Sequence, residues 1–115
     1  MDPNSDNEQH QFAQLRAGYI NTLPAKKQAI ETALAAAKNQ QWSHTALHEL
    51  KTLAHRLAGS GGGYGLPQLS EAGRALEQKI ILQLQADSGA HTEDIEREYL
   101  KLSGLMDQLF AQEQA

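Results

Sequence analysis

The chain contains no cysteine. Disulfides, thiolate metal sites and cysteine nucleophiles are therefore excluded, although this absence alone assigns no compartment. Aromatic residues make up only 5% of the sequence, and β-branched residues are also sparse, which leaves little to build strands from. Long apolar runs are missing. The longest, Ala33 to Ala37, is far too short to cross a bilayer. The N-terminal stretch Met1-Asp2-Pro3-Asn4-Ser5-Asp6-Asn7-Glu8 has neither the basic nor the apolar region of a signal peptide, and no lipidation motif is present. An excess of basic charge is missing as well: ten Lys and Arg stand against fourteen Asp and Glu, for a net charge of −4. A general nucleic-acid surface wants a basic face, so that class is set aside. The expectation is a free-standing, soluble, cytoplasmic protein that meets other proteins, with no membrane and no nucleic acid among its partners.

What is abundant is Ala, Leu, Gln and Glu, a composition that favours helix. A length of 115 residues suits one domain with a modest core. Residues 1–7 are expected to be frayed, and 8–113 to form a helical bundle. A first helix is predicted from Glu8 to Asn21, with Phe12, Leu15 and Tyr19 on one face. Pro24 suits the first turn of a second helix, whose apolar stripe is Ile30, Ala33, Leu34 and Ala37 and which ends at Asn39-Gln40-Gln41. Ser43 can cap a third helix with core positions Ala46, Leu50, Leu53 and Leu57. That helix runs into Gly59-Ser60-Gly61-Gly62-Gly63, where glycine weakens or ends it. Pro67 opens a fourth helix with Leu69, Ala72, Leu76, Ile80 and Leu84 inward. After the loop Ala86-Asp87-Ser88-Gly89, Thr92 caps a fifth, with Ile95, Tyr99, Leu102, Leu105, Met106 and Leu109 inward. Glu93 and Asp94 sit at its positive dipole end. The predicted fold class is all-α: an antiparallel up-down four-helix bundle with a short additional N-terminal helix lying as a lid against one end. The apolar stripes are used up within the bundle, so a monomer is expected.

The third helix carries the chemistry. At about 100° per residue, His55 projects opposite the core positions and toward water. His48, Lys51, Thr52, Ala58, Gly59 and Gly62 project around it. Ala58, Gly59 and Gly62 leave a bare shoulder beside the imidazole, and Lys51 brings a cation one turn before it. Imidazole titrates near neutrality and so offers a neutral nitrogen nucleophile in water. Phosphoryl transfer asks the protein for positioning and charge stabilisation rather than covalent help. One exposed histidine on a rigid helix therefore suffices if a partner supplies Mg²⁺ and a lysine of its own.

The segment Ala54-His55-Arg56-Leu57-Ala58-Gly59-Ser60-Gly61-Gly62-Gly63-Tyr64-Gly65 resembles the signature of the histidine phosphotransfer (HPt) family, His-x-Leu-Lys-Gly-Ser followed by small residues and a glycine. Leu69, Ala72 and Leu76-Glu77 extend the resemblance, which is close over residues 47–77. It implies that His55 accepts phosphate through Nε2, that Gly59 lets a receiver domain dock, that Ser60 holds the helix end near the site, and that Gly65 turns the chain into the fourth helix. The implied partners are response-regulator receiver domains, with a hybrid histidine kinase as a further partner. The Mg²⁺ would be bound by the receiver, with no cofactor of the chain's own. One departure stands out: the family's usual lysine three residues after the histidine is Ala58 here. Lys51 and Arg56 are the candidates to supply the missing charge. His48, on the same face, is a candidate partner contact.

Three functions compete. The first is a phosphorelay carrier, covalently modified but with no Gly-rich nucleotide loop and hence no ATP-dependent kinase activity of its own. The second is a docking module that binds or inhibits a receiver or histidine kinase and carries no phosphate. The third, a bundle with a metal or other ligand in its core, ranks last because the stripes are aliphatic. His44 and His48 share a face but lack a completing carboxylate, so no metal site is assigned.

Overall fold

The computed structural model describes residues 3–115, with side chains from Asn7 onward. It contains five helices: α1 (Pro3–Asn21), α2 (Leu23–Asn39), α3 (His44–Gly63), α4 (Pro67–Gln85) and α5 (Thr92–Gln114). No strand occurs among the described residues, and no helix there is long and apolar enough to cross a membrane. Short connections set α2 to α5 antiparallel in succession, and side-chain pairs record the register. Lys27 meets Asp107 and Lys38 meets Glu96 between α2 and α5. His55 meets Glu77 between α3 and α4, and Lys79 approaches Asp94 between α4 and α5. With α2 against both α3 and α5, helices α2 to α5 close a four-helix bundle.

Local chemistry starts α2, α3 and α4 as the sequence suggests. Pro24 and Pro67 lie in the first turns of α2 and α4. The Ser43 hydroxyl accepts from the Ala46 N–H and caps α3. At α5 the cap differs from expectation: His91 is the cap residue, and Thr92 is the first helical residue, its hydroxyl donating to the Gly89 carbonyl. The glycine run does not end α3, which continues through Gly63. The chain turns at Gly65, whose φ of +72° suits glycine, and the Leu66 N–H returns to the Gly61 carbonyl.

The core is aliphatic, with Leu23, Ile30, Leu47, Leu50, Leu57, Leu69, Leu76, Ile80, Ile95, Leu102 and Met106 essentially inaccessible. In α3 the buried stripe is rotated from the expected one. Leu47, Ala54 and Ala58 are buried, while Leu53 is only half-buried. The cause is α4. A Cβ built on Gly73 would lie 3.1 Å from the Ala58 nitrogen and 3.3 Å from the Ala54 carbonyl oxygen, so the α3 and α4 backbones nearly touch there. A polar clamp ties α2 to α5: Lys27 bridges to Asp107 at 2.8 Å, and Tyr99 donates to Glu31 at 2.5 Å. Burial, reinforced by Glu31, pushes the Tyr99 phenol up to about 12.

The N-terminal helix departs most from expectation. It begins at Pro3 rather than Glu8 and, at 19 residues, is longer than the 17-residue α2. Of the residues expected to fray, Met1 and Asp2 lie outside the described residues. Phe12 and Leu15 are exposed, and of the expected face only Tyr19 is buried. The C-terminal half of α1 does cover one end of the bundle. Phe12 lies against Gly65, the Tyr19 ring stacks on Tyr64 with centroids 4.5 Å apart, and Ile20 is buried.

The Gly73 contact yields a prediction. Gly73→Ala gains helix propensity but drives a methyl into backbone, and should lower unfolding free energy by about 1–3 kcal/mol. Chemical denaturation measures this. An unchanged or higher midpoint would show that the two helices are free to separate.

Candidate functional site

His55 lies in the middle of α3, on the side facing solvent, and its side chain is 74% exposed. The Glu77 side chain opposite it on α4 is 14% exposed. Their pairing follows from the close helix contact: Gly73 brings α4 onto Ala54 and Ala58, and Glu77, one turn further along α4, reaches the imidazole. Nδ1 of His55 lies 2.8 Å from Oε2 of Glu77. A carboxylate only accepts, so Nδ1 carries the proton in this pair. In the neutral ring the lone pair then resides on Nε2, the nitrogen pointing away from Glu77 into water. The carboxylate thus fixes both ring orientation and tautomer, as partners of functional histidines do.

Lys51, Thr52, His55, Arg56 and Glu77 line one open depression of about 280 Å³. The two cations named from the sequence therefore flank the imidazole. Neither Lys51 nor Arg56 forms an ion pair among the described residues, whereas Lys27, Lys38, Lys79, Arg97 and Lys101 all have carboxylates within 4.0 Å. The depression can receive an anionic group in front of Nε2, with cations at its side and the one carboxylate engaged behind the ring.

Other sequence-derived candidates are distributed differently. Gly59, one turn after His55, is exposed, and a Cβ there would meet nothing within 4 Å, so this shoulder is open. Gly62 is exposed but borders α4, where a Cβ would lie 3.5 Å from the Ser70 hydroxyl. His48 is exposed two turns before His55, about 10 Å away along the axis, and does not line the depression. Ala58, which the helical projection places beside His55 on the bare shoulder, is instead buried in the α3–α4 contact. A lysine at 58 would begin inside that contact.

Ser60 faces away from the imidazole. Its hydroxyl donates to the Arg56 carbonyl at 2.9 Å, leaving its oxygen to accept from the Tyr19 phenol at 2.6 Å. Burial is the main reason that Tyr19 holds its proton above the usual tyrosine range, which keeps this donor in place. Ser60 therefore ties α1 to the helix turn that carries Arg56. Sequence reasoning noted Glu77 only as part of a helix pattern and missed its pairing with His55. A signal was available in the lone carboxylate one turn after Gly73, but the register of α4 against α3 is needed to use it.

Comparison with known families gives a match to the Hpt domain over residues 14–112. The comparisons with curated proteins and with solved structures give no match. The family match spans the bundle and includes His55, Glu77 and the depression between them. The chain belongs to the Hpt domain family, whose members serve histidine phosphotransfer in phosphorelays and interact with the receiver domains of two-component systems.

Proposed function

We propose that this protein accepts a phosphoryl group on Nε2 of His55 from a receiver-domain phospho-aspartate and passes it to another receiver. The observation that carries this reading is the pair of His55 Nδ1 and Glu77 Oε2 at 2.8 Å behind an exposed Nε2. In the forward step the Nε2 lone pair forms the N–P bond as the P–O bond to aspartate breaks, and the aspartate carboxylate leaves with its electron pair. No proton has to move. The ring gains positive charge as the N–P bond forms, and Glu77, already accepting from Nδ1–H, stabilises that charge. In the reverse step the same contact holds the ring while a second aspartate attacks phosphorus. Lys51 and Arg56 offset the charge on the phosphoryl oxygens, in the role for which the motif's usual lysine is absent. Mg²⁺ belongs to the receiver in this scheme, and Gly59 leaves room for the receiver to approach.

The direct test is transfer from a panel of phosphorylated receivers of the same genome to the purified protein and to His55→Gln. The wild type should gain acid-labile, alkali-stable phosphate and the variant none. Binding of a receiver without any label on the wild type would favour a docking module instead.

Glu77→Gln keeps a hydrogen-bond acceptor and removes the charge. A hydrogen bond to a charged group is worth about 1.5–3 kcal/mol, which translates to transfer about 10- to 100-fold slower. Nitrogen NMR of the variant should also show the ring losing its fixed Nδ1–H tautomer, a change that a merely structural role would not produce. Lys51→Ala should slow transfer and shorten the lifetime of the phosphohistidine. Rates and lifetimes equal to wild type would remove Lys51 from the site.

A further inference from the structure

Residues 7–16 of α1 are exposed without exception. The chain is 59 Å along its longest axis, whereas its longest helix, the 23-residue α5, spans only about 35 Å. The difference is α1. Thr22 alone separates it from α2 and is itself helical, with φ −87° and ψ −8°. The N-terminal part of α1 thus runs on from α2 and stands out past the end of the bundle. A helical stretch this short that packs on so little of its own chain is marginal in water, because few hydrogen bonds offset its nucleation. Yet it carries large apolar groups: Phe12 is 45% exposed and Leu15 61%. The expectation of a monomer assumed that every apolar stripe is used up within the bundle, and this one is not.

Charge on the same face is arranged as its own complement. Glu8, Phe12 and Arg16 recur every four residues and so share one side of α1, with Leu15 beside them. Glu8 and Arg16 lie about 12 Å apart along the axis, too far to pair with each other. Neither forms an ion pair among the described residues. A second α1 laid antiparallel across Phe12 brings its Arg16 opposite Glu8 and its Glu8 opposite Arg16, each about 6 Å from the crossing point. A parallel copy would set Glu8 on Glu8 and Arg16 on Arg16. Space for incoming side chains exists beside Arg16, where an open notch of about 300 Å³ runs past Leu66, Pro67 and Leu109.

We infer that a second copy of this chain covers the projecting part of α1, in a two-fold symmetric dimer whose α1 helices pack antiparallel through Phe12 and Leu15 and are held in register by two Glu8–Arg16 pairs. A two-fold contact must be self-complementary, and the order acid, apolar, base along this stripe is self-complementary only when antiparallel. Contact confined to one short helix and a notch per copy makes the interface small and the dimer weak. His55 lies eight residues, about 12 Å, before the end of α3 at Gly63. Pairing through α1 therefore leaves both imidazoles exposed, whichever partners they meet.

Sedimentation equilibrium of the full chain from about 10 μM to about 1 mM reads the association. The wild type should pass from monomer toward dimer over that range. Glu8→Arg and Arg16→Glu, both at exposed positions, should each weaken dimerisation by about 10-fold or more, since symmetry applies each reversal twice. An equimolar mixture of these two variants should dimerise again, because every Arg then meets a Glu across the crossing. The double variant Glu8→Arg/Arg16→Glu should match wild type, and amides of residues 7–16 should gain hydrogen-exchange protection as the dimer forms. A wild type still monomeric at the highest concentration, a dimer indifferent to both charge reversals, or single variants that stay apart when mixed would overturn the inference.

Discussion

The site depends on how closely α3 and α4 approach each other. Gly73 has no side chain, so the α4 backbone rests on Ala54 and Ala58 of α3. That contact sets the register in which Glu77 meets His55 one turn away. A methyl group at 73 would push the helices apart at the point from which the carboxylate is aimed. The ring tautomer, the exposed Nε2 and the burial of Ala58 all follow from this one steric fact. The polar clamp of Lys27, Glu31, Tyr99 and Asp107 holds the opposite side of the bundle, between α2 and α5, and leaves the His55 face unencumbered.

Much of this was legible in the chain. Apolar spacing and cap residues located five helices, and the projection of α3 put His55 opposite Leu50 and Leu57 and toward water, where the structure has it. What periodicity could not supply was rotation finer than a fraction of a turn. Leu53 and Leu47 are both leucines near the edge of the stripe, and only the position of the neighbouring helices decides which is covered. Ala58 is small enough to lie on either side, and its burial depends on a glycine far along the next helix. The His55–Glu77 pair spans two helices, so its existence rests on register, which is tertiary information. Phe12 and Leu15 misled for the opposite reason: they have apolar spacing, but that face of α1 stays largely exposed.

Two depressions share one residue on this surface. Arg56 borders the depression in front of the imidazole and the apolar groove between α2 and α3. Its carbonyl is also the acceptor for Ser60, which Tyr19 of α1 holds in turn. The N-terminal helix is thereby connected to the site through two hydrogen bonds, although Phe12 and Leu15 in its middle stay exposed. Ala58 is buried against α4, whereas Lys51 and Arg56, without carboxylate partners among the described residues, border the depression in front of His55.

At the centre of this arrangement Glu77 holds Nδ1 and leaves Nε2 exposed, the atom that the proposed transfer would phosphorylate. Phosphorus and nitrogen NMR of the receiver-phosphorylated, nitrogen-labelled protein distinguishes the two ring isomers through which atom couples to phosphorus. The predicted result is a single phosphohistidine at residue 55, with phosphorus on Nε2 and a proton retained on Nδ1. Phosphorus on Nδ1, or on any histidine other than His55, would contradict it.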